Sequence, residues 1–120
     1  MAVKVVTNGK YVGKAPNDSN SFVIHFHMLD TAATSDTLEC TIPDHTDKDA
    51  IPLAAVCMSR AVTGVVTHKP VTITSHQVAP NSGQTAAETV GTTILTVGAS
   101  ALAIGDIVQI KYSAVKFTAP

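Results

Sequence analysis

Residues Ser21 to Leu29 read Ser-Phe-Val-Ile-His-Phe-His-Met-Leu. Phe22, Ile24, Phe26 and Met28 occupy every second position, and strand side chains point alternately to opposite faces. The stretch is therefore expected to be a strand with one wholly apolar face, leaving Val23, His25, His27 and Leu29 on the other. It holds two of the chain's three Phe, and there is no Trp. A face this apolar needs a second layer to cover it, and the other segments that could supply that layer also read as strands. The expected fold is all-β, an antiparallel β-sandwich or jelly roll of about eight short strands, as one domain over 1–120.

The other segments set the order of this sandwich. Val3 to Val6 and Lys10 to Val12 flank Thr7-Asn8-Gly9. Asn-Gly is a strong hairpin signal because both residues tolerate positive φ, so an N-terminal hairpin or arm is expected. Gly13 to Asn20 reads as a loop leading from it into the core. Thr37 to Ile42 alternates Leu38, Cys40 and Ile42 against polar neighbours, and Pro43 ends it. Ile51 to Ala61 fits a helix through Leu53, Val56, Cys57 and Arg60, or a strand with Ala54, Val56 and Met58 on one face. Propensity is weak against a β context, which favours the strand. Val65 to His68, Val71 to Val78 and Thr92 to Val97 read as further strands. Ala79 to Gly91 is irregular, and Ala99 to Ile104 suggests an apolar approach with one turn of 3₁₀ helix. After Gly105-Asp106 comes a last strand whose apolar face is Val108, Ile110, Tyr112 and Ala114. No internal repeat is visible.

Composition narrows the function classes. The chain is 45% hydrophobic and only 14% charged, with a net charge of −1. Near-neutrality argues against nucleic acid and acidic membranes, which call for a basic surface. So few charges suggest surface covered by a partner or by copies of the chain. The opening Met-Ala-Val-Lys-Val-Val lacks the pattern of a secretory leader, and no apolar run approaches the roughly 20 residues of a membrane span. Production in a cytoplasm, with Cys40 and Cys57 reduced and buried, is the resulting expectation.

No residue pattern carries catalysis. His25 and His27 would lie on one face about 7 Å apart along a strand, and such a pair can clip a metal. No glutamate follows at the spacing a cupin needs, so a polar sheet face is the simpler reading. Asp44, His45, Asp47 and Asp49 lack the Gly and bidentate Glu of a calcium loop. There is no Gly-x-Ser-x-Gly elbow, no phosphate loop, and nothing beside Cys57 to activate a thiol. No catalytic residue, cofactor or metal ligand is assigned, and the chain is read as no enzyme.

The His-Phe-His strand and the closing Ala-Leu-Ala-Ile-Gly-Asp-Ile-Val-Gln-Ile-Lys-Tyr-Ser, with Gly105, Asp106, Val108, Ile110 and Tyr112, resemble small jelly-roll structural proteins of tailed bacteriophages of the capsid decoration or cement type. The resemblance implies a virion surface protein, trimeric or otherwise oligomeric, that binds the major capsid protein and itself. The N-terminal hairpin, with Val3, Val5, Tyr11 and Val12 as the partner-binding residues, could then add strands to a neighbour's sheet edge. A glycan- or receptor-binding jelly roll is a second reading, weakened by having only Tyr11 and Tyr112 beside the Phe residues to offer aromatic platforms. A cupin-like metal enzyme is a third.

Overall fold

The computed structural model describes residues 2–15, 18–42, 50–77 and 91–116. Among them are nine strands and no helix: β1 (Val3–Val6), β2 (Lys10–Ala15), β3 (Asp18–His27), β4 (Thr37–Thr41), β5 (Ala50–Arg60), β6 (Val66–Lys69), β7 (Val71–Gln77), β8 (Thr92–Val97) and β9 (Ile107–Lys116). They form two sheets, ordered β1-β4-β8-β7 and β2-β3-β9-β5-β6. All neighbours are antiparallel except β1 and β4, which run parallel.

The alternation of residues 21–29 does what the period of two requires. Phe22, Ile24, Phe26 and Met28 are buried, while His25 and His27 face outward. β9 repeats the pattern from the neighbouring position, with Val108, Ile110 and Tyr112 fully buried. Leu38, Cys40 and Ile42 face them from β4, and Leu95 and Val97 from β8. Val71 and Ile73 of β7 and Ala55 of β5 pack against this core from its margin. The ambiguous stretch 51–61 is a strand, as its surroundings favoured.

Three expectations fail. The N-terminal hairpin or arm does not form: β1 joins β4 in one sheet, and β2 joins β3 in the other. Val6 is buried in the core, so β1 is part of the sandwich rather than an appendage. Asn8 acts through its side chain instead of a tight turn. Its Nδ2 donates to the His27 carbonyl at 2.8 Å, and its Oδ1 accepts from the His27 amide at 3.1 Å. That mimics one residue of an added strand and carries the chain from sheet to sheet. Gly9 is needed for space rather than for positive φ, since a Cβ there would lie 2.7 Å from the Phe26 ring. The expected loop at 13–20 is largely strand, with β2 running through Gly13 by way of register shifts. Residues 99–104 hold no 3₁₀ turn; the expected turn at 80–83 lies outside the described residues.

Those 99–104 residues belong instead to an internal repeat that the sequence hides. The crossovers β3–β4 and β8–β9 are the same device used twice. Asp36 accepts the Ala33 amide on Oδ2 at 2.9 Å; Asp106 accepts the Ala103 amide on Oδ2 at 2.9 Å. Each Asp follows a residue at positive φ, Ser35 at 71° and Gly105 at 92°. Ser35 and Asp36 exchange backbone bonds with Val97, and Gly105 and Asp106 do so with Met28. Between the loops, Ala32 and Leu102 pair reciprocally at 3.0 and 2.8 Å. The pairs β3·β9 and β4·β8 are thus related by a pseudo-two-fold axis through the core.

The repeat makes a direct prediction. Ser35 holds a left-handed conformation that costs an L-residue about 1–2 kcal/mol, whereas its counterpart is Gly105. Ser35→Gly should be neutral or stabilising by up to about 1 kcal/mol, after the added chain entropy of glycine is offset. Gly105→Ala should destabilise by about 1 kcal/mol or more. Urea midpoints of the two variants against the parent check both signs.

Candidate functional site

Polar chemistry inside the sandwich is structural. Tyr112 and Thr93 are fully buried, and their hydroxyls lie 2.6 Å apart. Thr93 Oγ1 also lies 2.8 Å from His76 Nδ1, so one chain of hydrogen bonds runs from the core to a half-buried ring. Tyr112 stacks on Phe22 and meets His76 edge-on. Burial pushes the Tyr112 hydroxyl well above its ordinary range, which the Thr93 bond only partly offsets. A phenol locked in its neutral form serves packing rather than proton transfer at neutral pH. The sequence does not announce this network, because a Thr in a Thr-rich strand already satisfies β propensity.

A second buried polar group sits at the crossovers. Lys69 Nζ lies 2.8 Å from Asp106 Oδ2, with both side chains largely covered. Burial opposes the charge on Asp106, but the Ala103 amide, Lys69 and Ser59 outweigh it and hold its pKa below the ordinary value. Asp36 is also lowered, first by the amides of Ala2 and Ala33. Cys57 is buried beside this pair, and burial, reinforced by Asp106, raises its thiol to about 11. Cys40 is raised further by burial alone. Both thiols are free and neither is primed to be a nucleophile.

The described histidines are not gathered. His25 and His27 lie on β3, while His68 lies on the far edge strand β6 and His76 in the other sheet. Among the described residues no three His, Cys, Asp or Glu side chains are grouped to hold a metal. Asp44, His45, Asp47 and Asp49 fall outside the described residues.

Among the described residues, exposed large apolar side chains gather in two places, with Leu53 and Ile51 exposed on β5 besides. The first is the flank carrying β1 and β2, the edge strands added to β4 and β3. Val3, Val5 and Val12 are exposed there; Tyr11 pairs through its backbone with Ile24, and its side chain is outside the described set. Leu29, 77% exposed, extends this flank. A groove runs between β1 and the end of β3, lined by the whole of β1 together with Thr7, Asn8, His27, Met28, Leu29 and Asp30, with the Lys4–Asp30 ion pair among its lining residues. The second place was not singled out from sequence. The β5–β6 hairpin continues past the last pairing of β5 with β9, at Met58–Ile107, and so projects from the sandwich. Its tip is Ala61-Val62-Thr63-Gly64-Val65-Val66, closed by the Gly64 amide donating to Ala61 and the Ala61 amide to Val65. Val62 is wholly exposed, Val65 and Val66 more than half, and Ile104 lies beside them at 67%. A valine run reads as core strand in a sequence, and only the projection past β9 shows that these side chains have nothing to pack on.

No protein-family model, curated protein or solved structure matches the chain.

The carboxylates set an acid limit. A folded-state pKa below the unfolded one stabilises above the unfolded value near 3.8, and that stability is lost as pH falls through the folded value. Stability should therefore hold from neutral pH to about 5 and fall below about 4. Lys69→Met removes the main counter-charge of Asp106; it should cost about 2 kcal/mol at neutral pH and move the acid loss to higher pH. Urea midpoints across pH 3–7 for parent and variant test this.

Proposed function

We propose that the chain is a non-enzymatic virion structural protein, a jelly-roll capsid decoration protein that binds and stabilises a phage head and associates with copies of itself. The observation that supports this reading is apolar surface displayed on a two-sheet frame: Val3, Val5 and Val12 on one flank, and Val62, Val65 and Val66 on the projecting hairpin with Ile104 beside it. Water-exposed apolar area is unfavourable by about 25 cal/mol per Å² relative to its burial. A partner that covers it is the natural source of binding energy. The mechanism is area rather than chemistry: each stable contact buries more than about 1,000 Å² in total, and many copies on one shell add their contributions. The low charge fits such covered surface, and so do the largely buried polar side chains of the interior. A glycan-binding role has less support, because Tyr112 is fully buried and offers no stacking face.

The role is tested by co-sedimentation with undecorated shells of the cognate phage, which lies in the virion, the expected site of action after synthesis in the host cytoplasm. Saturable binding and a raised disruption temperature of the shells are the expected results. Val3→Lys combined with Val5→Lys and Val12→Lys should weaken binding at least tenfold while the fold, read by circular dichroism and thermal melting, is kept. Wild-type protein that never sediments with shells would sink the reading.

A further inference from the structure

Asn8-Gly9 is the one Asn-Gly pair in the chain, and it lies in the crossover from β1 to β2, between the two sheets. Such a pair is chemically self-reactive. The Gly9 backbone nitrogen can attack Asn8 Cγ and form an N–Cγ bond, while the Cγ–Nδ2 bond breaks and Nδ2 leaves as ammonia with the Gly9 amide proton. The product is a five-membered succinimide. Solvent water then opens the ring, at Cγ to give aspartate or at the Asn8 main-chain carbonyl to give isoaspartate. No electrons are transferred; an amide NH2 is exchanged for OH. Glycine in the second position favours the attack, because no Cβ shields its nitrogen. We propose that Asn8 is a self-modification site, held unreactive by the fold and released whenever the β1–β2 crossover opens.

The restraint is the pair of bonds to His27. Nδ2 donates to the His27 carbonyl at 2.8 Å, and Oδ1 accepts the His27 amide at 3.1 Å. Ring closure turns Cγ toward the Gly9 nitrogen, and a side chain held at both ends of its amide does not make that turn until both bonds break. His27 is fixed in its turn, since β3 pairs with β9 as far as His27–Ile107. Gly9 is held from the other side by the fully buried Phe26, whose ring a Cβ would approach to 2.7 Å. That contact also blocks the replacement that would slow the chemistry, because any side chain at Gly9 meets the ring. Asn8 and Gly9 are only half-buried, so the protection comes from conformation and not from exclusion of water.

Neither product fits the place of its parent. An aspartate carboxylate has no donor, and it would set an oxygen against the His27 carbonyl where Nδ2 had donated. Isoaspartate adds one atom to the main chain ahead of Gly9, which moves Gly9 off its seat on Phe26. Asn8 follows β1 of the four-stranded sheet and is bonded to β3 of the five-stranded one, so both products loosen the join between sheets. Conversion thus records one opening and makes the next easier.

The test incubates the whole chain in mildly alkaline buffer, folded and in guanidinium above its unfolding midpoint. Conversion at Asn8 is read by peptide mass spectrometry, with the aspartate and isoaspartate peptides separated by chromatography. The rate in the unfolded chain should exceed that in the folded protein at least tenfold, and at intermediate denaturant it should follow the unfolded fraction. Equal rates in the two states would overturn the proposal, and so would an Asn8 that stays intact when unfolded. The consequence for the fold is read on Asn8→Asp. This variant should keep the strand signal in circular dichroism and unfold at lower denaturant than wild type; an unchanged midpoint would show that the His27 bonds do not hold the crossover. The rate comparison uses wild type alone, so it decides the matter even where the variant fails to fold.

Discussion

Asp36 and Asp106 stand where the chain leaves one sheet for the other, and each takes the amide of the residue three positions earlier. A buried carboxylate is costly unless its oxygens are satisfied. For Asp36 the amides of Ala2 and Ala33 do that work, and for Asp106 the Ala103 amide and Lys69. Since the clip closes within a few residues, each crossover is set locally. Since Ala32 and Leu102 pair, the two crossovers are locked to one another. The register of β3 on β9 and of β4 on β8 follows from that lock, and with it the alignment of Phe26, Ile24, Leu38, Ile110 and Leu95 into one core.

A closed interior shapes what remains outside. Inside the frame the hydroxyls of Tyr112 and Thr93 meet, with Thr93 also reaching His76, both thiols are buried, and the Asp36 and Asp106 carboxylates are bound. Leu29 and Ile104 emerge beside the two clips, and the β5–β6 hairpin projects beyond them.

The strands were legible where one face is wholly apolar. Ser21 to Leu29, Thr37 to Ile42 and Ile107 to Tyr112 alternate strictly, and a one-residue slip would expose every buried member. The repeat was not legible, because the equivalent segments 31–40 and 101–110 share only Ala33 with Ala103 and Asp36 with Asp106, and one uses Ser where the other uses Gly. The projecting hairpin tip was not either. Val62, Val65 and Val66 have the composition of a buried strand, and composition does not state where a neighbouring strand stops.

By itself the sequence determined that this chain is built of strands, which side chains along each face inward, and that charge plays little part in its surface. Those follow from a period of two and from solvation, both local. The tertiary structure alone decided which strand joins which sheet. Asn8-Gly9, a hairpin signal in isolation, became a crossover because the Asn8 side chain found the His27 backbone and Gly9 let the chain pass against Phe26. Partners distant in sequence outbid a local turn, because a buried ladder of hydrogen bonds over an apolar core is worth more than one favourable turn.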